Sequence, residues 1–398
     1  MKLSKTQLFT AFFLLISTGF SSTILADYWK SEAYKASLKL DKQSFCLDLD
    51  GDIIGENIDL KIKPASVTKL YTTLWSLERL GKDHRFETKF SVKGNDLYIH
   101  GGSDPYFVTE NILVALDKLS DLGYSKFNYV YFDKNLFYNW KKNSSSVSKS
   151  LKKIFNKKNW TQKTAQTINE MNLFFKRNAS EIKIDIKNIS AKYIVPTKTI
   201  NINEDYSFTL SSSPLWMHLK QVNMYSNNFY TDEIFNFLGG EKEFNTYINR
   251  KLNATDDEIY FYTGSGLGDN YTTCRITLTM LDELEILLSN LNLQKQDIMA
   301  VPGVDQGTMK KRFTSLKYAR KIVAKTGTLN DTSAFSGFFL NKNIKFAVFN
   351  HTKAYANKTR VRKLQDDIIK KAIDLEEEVL ASLYESPDYI SIKDILIQ

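Results

Sequence analysis

The sequence predicts an α+β protein in which an antiparallel sheet flanked by helices is interrupted by a smaller α+β module. Two changes of pattern carry this reading. A helix that is apolar nearly all round, Pro64–Gly81, gives way from about Arg85 to short strands and tight loops. After about Asn203 longer helices return, and they end in three closely spaced strands and a terminal helix. A chain of 398 residues suits one interrupted domain or two. The segments are therefore 1–26, a signal peptide; 27–84, the first part of the main domain; 85–203, the inserted module; 204–380, the second part; and 381–398, a tail.

Met1–Ala26 has the layout of a secretory signal. Lys2 and Lys5 precede an apolar run, Leu8–Ile16, and small residues lead to Ala26. The run is short for a membrane span, so export to the periplasm is expected. Phe45–Asp50 reads as a strand closed by the turn pair Asp50-Gly51. In the helix that follows, Pro64 suits the first turn, where its missing N–H costs nothing, and Gly81 is a natural stop. Val67, Leu70, Leu74 and Leu77 recur at helical spacing, and Tyr71 and Trp75 widen the apolar surface.

Phe86–Val92, Leu97–His100 and Tyr129–Phe132 read as strands of the module, with Ile112–Leu122 a short helix. Ser144–Lys158 is a lysine-rich loop or surface helix, and Glu181–Ile202 alternates like a strand. The main domain is expected to resume at Phe208–Pro214, followed by one helix over Leu215–Leu238. Gly264–Gly268 is a loop and Thr277–Leu291 an amphipathic helix. Lys321–Thr328, Ser333–Leu340 and Ile344–Asn350 are antiparallel strands, and Thr359–Leu380 closes the domain.

The formal charge of +9 comes from scattered lysines without a recognition-helix or zinc-finger signature, so no nucleic-acid partner is indicated. It suits an anionic polymer or surface instead. The four histidines show no ligand spacing, which gives neither a metal site nor a Ser-His-Asp triad. Cys46 and Cys274 are too few for a disulfide framework, and their pairing is left open.

Chemistry concentrates at Ser66 and Lys69, one helical turn apart on the same face. A lysine made neutral by burial could take the proton of a serine nucleophile. Ser-x-x-Lys also occurs at Ser146, Ser150 and Ser180, so the motif alone decides nothing. Two later partners give it weight: Ser226-Asn227-Asn228 and Lys325-Thr326-Gly327. This ordered set resembles that of penicillin-binding proteins and β-lactamases. Gly101–Pro105, Ser213–Leu215, Met224–Tyr230, Gly264–Leu267, Val301–Arg312 and Lys325–Phe338 extend the resemblance to the penicillin-binding D-alanyl-D-alanine carboxypeptidase/endopeptidases of peptidase family S13.

The resemblance implies a serine transpeptidase/β-lactamase-like fold. It also implies a DD-peptidase acting on peptide stems and crosslinks of peptidoglycan, with β-lactams as covalent inhibitors and no metal or cofactor. In that frame Ser66 is the nucleophile, Lys69 the base, and Ser226 a proton relay to the leaving amine. Asn228 holds the substrate amide and Lys325 supplies positive charge. Thr326 and Thr328 meet the substrate carboxylate beside Gly327, and Asn330 lines the same cleft. The backbone N–H groups of Ser66 and Thr328 form the oxyanion hole. Asp133 and Phe137 line a pocket for the substrate's side chain, and Asp269 stands where many relatives carry arginine. The insert is also shorter than is common in the family. A β-lactamase or esterase on the same fold, or a non-catalytic wall-binding protein, stays open as an alternative.

Overall fold

The computed structural model describes residues 23–352, 358–376, 379–386 and 391–398. The chain forms two compact units. The first takes the chain up to Arg79 together with Leu219–Ser386; the second takes Leu80–His218 and Pro387–Gln398. Elements are numbered along the chain.

The first unit is built on an antiparallel sheet ordered β2-β1-β10-β9-β8. Its strands are β1 (Gln43–Leu49), β2 (Asp52–Glu56), β8 (Ile322–Thr328), β9 (Thr332–Phe339) and β10 (Ile344–His351). Every residue of β9 is buried, because helices cover both faces. Alternation along β1 divides its side chains between those faces. Phe45 and Leu47 join a core with Leu25, Trp29 and Ala33 of α1 (23–35) and with Leu364, Ile368 and Ile369 of α11 (Lys358–Leu375). Cys46 faces the opposite way and is joined by a disulfide to Cys274, the first residue of α9 (Cys274–Asn290). The pair left open by the sequence is therefore a covalent tie between sheet and helix.

The expected signal peptide lies outside the described residues up to position 22; from 23 its last residues belong to α1. The expected helix Pro64–Gly81 is in two parts: a 3-10 turn, Ala65–Val67, and then α2 (Thr68–Leu80). Leu70, Tyr71, Leu74, Trp75 and Leu77 of α2 are buried as the periodicity requires. Trp75 packs against Phe244 and Tyr247 of α8 (Gly240–Leu252) and against Phe235. The short α10 (Lys295–Ile298) completes this unit's regular elements among the described residues, apart from α6 and α7 described below.

The second unit has a six-stranded mixed sheet, ordered β11-β7-β3-β4-β5-β6. Its strands are β3 (Glu87–Lys93), β4 (Asp96–His100), β5 (Lys126–Phe132), β6 (Ser190–Pro196), β7 (Tyr206–Ser211) and β11 (Leu396–Ile397). Strands β4, β5 and β6 run parallel. Parallel neighbours need crossovers, which α3 (Thr109–Asp121), α4 (Ser144–Ile154) and α5 (Gln162–Arg177) provide.

Three expectations are corrected here. Phe208–Pro214 does not reopen the main domain: β7 pairs with β3, so this unit runs on to His218. The tail, unreadable by composition, returns to it, and β11 pairs with the edge of β7. Helix α5, where no element was expected, buries Met171, Phe174 and Phe175 at helical spacing.

Candidate active site

The site of the first unit starts from a strained turn. Ala65 has φ 47°, a left-handed conformation that a residue with a Cβ adopts at a cost. Two glycines hold the turn by close backbone approach. A Cβ on Gly266 would come within 1.9 Å of the Ala65 carbonyl oxygen. One on Gly327 would stand 2.7 Å from the Pro64 oxygen and 2.9 Å from the Ser66 nitrogen. Loop 264–268 and strand β8 thus clamp Ser66 from two sides, and only residues without a side chain allow it.

Lys69, the second residue of α2, has its side chain fully buried. Its Nζ lies 3.0 Å from Ser66 Oγ, 2.7 Å from Asn228 Oδ1 and 2.7 Å from the Ser265 carbonyl oxygen. Burial pulls its pKa down to about 7, against an opposing pull from the Asp232 carboxylate.

The second motif is placed by a break. The single helix expected over Leu215–Leu238 is α6 (Leu215–Tyr225) and α7 (Asn228–Phe237). Between them Ser226 has φ 59°. Asn227 then caps α7, its Oδ1 accepting the Tyr230 N–H at 3.0 Å. The kink presents Ser226 and Asn228 separately. Ser226 Oγ is 3.0 Å from Lys325 Nζ, whereas Asn228 meets Lys69.

The middle of α6 is anchored by Lys220, buried in an ion pair with Asp305 at 2.6 Å. Lys220 also donates to the carbonyls of Gln296 and Met299. Asp305 accepts the N–H of Val301 and the hydroxyl of Tyr384.

Lys325 sits on β8, fully buried, and also donates to the Thr326 carbonyl at 2.8 Å. Burial, then the neighbouring Lys69, push its pKa well below the lysine range. The sequence reading gave Lys325 a standing positive charge. Burial and the nearby Lys69 both work against that charge in this structure.

Sequence reasoning missed the groups behind these side chains. Asp232, one turn beyond Asn228 on α7, accepts the Ser265 N–H at 2.8 Å and so aims the Ser265 carbonyl at Lys69. That i,i+4 spacing was a usable signal. Thr72 Oγ1 donates to the Gly264 carbonyl at 2.8 Å. Asn270 braces the same loop through the backbone of Tyr262 and Thr263. Nothing in periodicity marks Asn270.

The remaining expected residues divide. Thr326 and Thr328 line a cleft of about 870 Å³ with Ser66 and Ser226. Asn330 is exposed just beyond β8. Asp269 is largely solvent-exposed and pairs with Lys63 at 3.1 Å; Lys63 also reaches Asp331 at 3.6 Å. Asp133 and Phe137 belong to the second unit. There Asp133 accepts the N–H groups of Gly101 and Asn135, which is turn-forming work, and Phe137 is half-buried. Among the described residues no cluster of His, Cys, Asp or Glu suits a metal ion.

The chain matches the D-Ala-D-Ala carboxypeptidase 3 (S13) family over residues 47–159 and 181–372, and the gap between the two stretches takes in all of α5. No curated protein matches the sequence. Among solved structures it is similar to the predatory endopeptidase Bd3459 of Bdellovibrio bacteriovorus, at 27% identity and TM-score 0.77, over 86% of this chain and 95% of that one. Two others share the fold. Predatory endopeptidase Bd0816 of the same organism has 23% identity and TM-score 0.78, with 88% and 96% covered. Penicillin-binding protein 4 of Haemophilus influenzae has 15% identity and TM-score 0.61, with 87% and 99% covered. With its family matched across most of its length and the fold of these serine peptidases, the chain belongs to the S13 family of D-Ala-D-Ala carboxypeptidases and is a serine hydrolase.

Proposed function

We propose that this protein is a penicillin-sensitive DD-peptidase of the periplasm that opens terminal D-Ala-D-Ala and DD-crosslinks in peptidoglycan through an acyl-enzyme. The observation that carries the reading is the position of Lys69 Nζ, 3.0 Å from Ser66 Oγ in a buried site that lowers its pKa to about 7. Support also comes from the Bd3459 endopeptidase, whose structure acylated by penicillin G is similar to this chain at 27% identity.

In the first half-reaction Ser66 Oγ attacks the carbonyl carbon of the D-alanyl bond and its proton passes to neutral Lys69. The oxyanion takes hydrogen bonds from the backbone N–H groups of Ser66 and Thr328. Asn228, whose Oδ1 is engaged by Lys69, offers its Nδ2 to the substrate amide. The C–N bond breaks as the leaving amine is protonated through Ser226, which is hydrogen-bonded to Lys325. Thr326 and Thr328 receive the carboxylate of the leaving residue. Water then attacks the ester, and Ser66 recovers its proton. By family resemblance Asp133 and Phe137 line a pocket for the substrate's side chain and Asp269 stands where many relatives carry arginine, whereas Asn330 lines the cleft of Thr326 and Thr328. The buried disulfide favours an oxidising compartment, in keeping with export.

The test is digestion of purified pentapeptide monomers and crosslinked dimers, read by mass spectrometry. Release of D-alanine and conversion of dimers to monomers supports the proposal. Intact substrates beside an enzyme that rapidly turns over penicillin would favour the β-lactamase reading.

A further inference from the structure

The cleft that holds Ser66 has a basic wall that the chemistry above does not use. Lys310, Lys311, Arg312, Arg362 and Lys363 line it, against the single carboxylate of Asp366. Two of the five cations are occupied. Arg312 is buried, donates to Asp366 at 2.7 Å and lies flat over the Phe335 ring at 3.9 Å. Lys363 pairs with Asp367. The side chains of Lys310, Lys311 and Arg362 are exposed and have no ion-pair or hydrogen-bond partner among the described residues.

The same cations crowd one another. Beyond the effect of burial, Arg362 disfavours the charged forms of both Arg312 and Lys358. Like charges kept together without counter-charges weaken a fold slightly, and they raise the local concentration of anions.

The side of the cleft on which the wall stands is informative. Beside Ser66 its lining includes Ser226, Thr326 and Thr328, which serve the leaving half in the proposed reaction, together with Gly307, Thr308 and Thr359. Asn228, which serves the acyl half, is not part of this lining. A terminal D-alanine leaves with one carboxylate, and Thr326 and Thr328 already account for it. Three further cations have no use for such a substrate. A second peptide stem leaves with several free carboxylates and would neutralise them.

We propose that Lys310, Lys311 and Arg362 form a subsite for a leaving peptide bearing several carboxylates, so that the enzyme prefers anionic crosslinked peptides to a terminal D-alanine. The inference rests on the DD-peptidase reading and names the leaving-group class of that site.

The experiment compares two crosslinked dimers, one with the carboxylates of the leaving stem free and one with them amidated. The wild-type enzyme should open the free-acid dimer with the higher kcat/KM. The combined variant Lys310→Gln, Lys311→Gln, Arg362→Gln should lose about tenfold on the free acid, the scale of a few exposed ion pairs acting together. It should lose no more than about twofold on the amide, the range expected of rim contacts. Labelling of Ser66 by penicillin reports that the variant is folded. Should the variant not fold, the wild-type preference for the free acid still decides, because it must shrink as salt rises from about 20 to 500 mM. Equal rates on the two dimers, equal losses in the variant, or a salt-independent preference each overturn the subsite. Failure to open either dimer or to release D-alanine would instead overturn the DD-peptidase reading.

Discussion

Gly327 and Ser66 are so close that a methyl group on the glycine would lie 2.9 Å from the serine's backbone nitrogen. Strand β8 therefore presses its bare backbone on the turn that carries Ser66, and in the proposed mechanism the oxyanion hole depends on that contact. Gly327→Ala has to push the turn away. It should lower the rate of acylation by penicillin about 10²–10³-fold, the scale of a lost oxyanion donor. The sheet should survive, since β8 stays paired with β9. Acylation kinetics beside a thermal melt separate the two effects. A variant acylated at the wild-type rate would show that the contact is incidental.

The pH dependence of acylation follows from the buried lysines. Lys69 is held at about 7 and Lys325 is also pushed down, so the neutral amine forms as pH rises through neutrality. The acylation rate should rise with pH around an apparent midpoint near 7, which belongs to the pair of lysines. Below the midpoint the base is protonated and the rate falls. Lys69→Ala should cost about 10²–10⁴-fold and flatten the rise. A wild-type rate unchanged between about pH 5 and 9 would assign the base to another group.

Asp305→Asn should damage stability more than its distance from the chemistry suggests. It removes the only carboxylate bonded to Lys220 among the described residues and leaves a buried ammonium unpaired. The cost should be about 3–5 kcal/mol. Denaturant unfolding measures it. Lys220→Met with Asp305→Asn should recover part of the loss, because it removes the unpaired charge while the new amide keeps an acceptor for the Val301 N–H and the Tyr384 hydroxyl. A double variant as unstable as the single one would contradict this account.

Cys46→Ala with Cys274→Ala should lower stability by about 2–4 kcal/mol, the usual worth of a disulfide that closes a long loop. Unfolding with and without reductant checks it. Wild type should become sensitive to reductant once unfolded, and the variant should be indifferent.

What the sequence made legible follows from the range of the forces. The apolar stripe of α2 and the alternation in β8, β9 and β10 are local patterns, and burial acts on them directly. The three motifs were readable because each lies on or beside such an element or a helix. The kink at Ser226 was not, since the apolar positions of α6 and α7 run on in phase and only the left-handed serine and the Asn227 cap break them. The allegiance of β7 was lost for a different reason. Its alternation says that it is a strand but not which sheet takes it, and its partners β3 and β11 lie far away in sequence. The Asp232–Ser265 contact likewise joins a helix to a loop across the fold, which periodicity cannot register.

The central claim is that Ser66 is the group acylated. Intact-mass spectrometry of the protein mixed with benzylpenicillin tests it most directly, with peptide mapping to place the adduct. One penicilloyl group should appear on Ser66 in the wild type, and none should appear on a folded Ser66→Ala variant. An adduct on another residue, or a Ser66→Ala protein that still labels, would contradict the account.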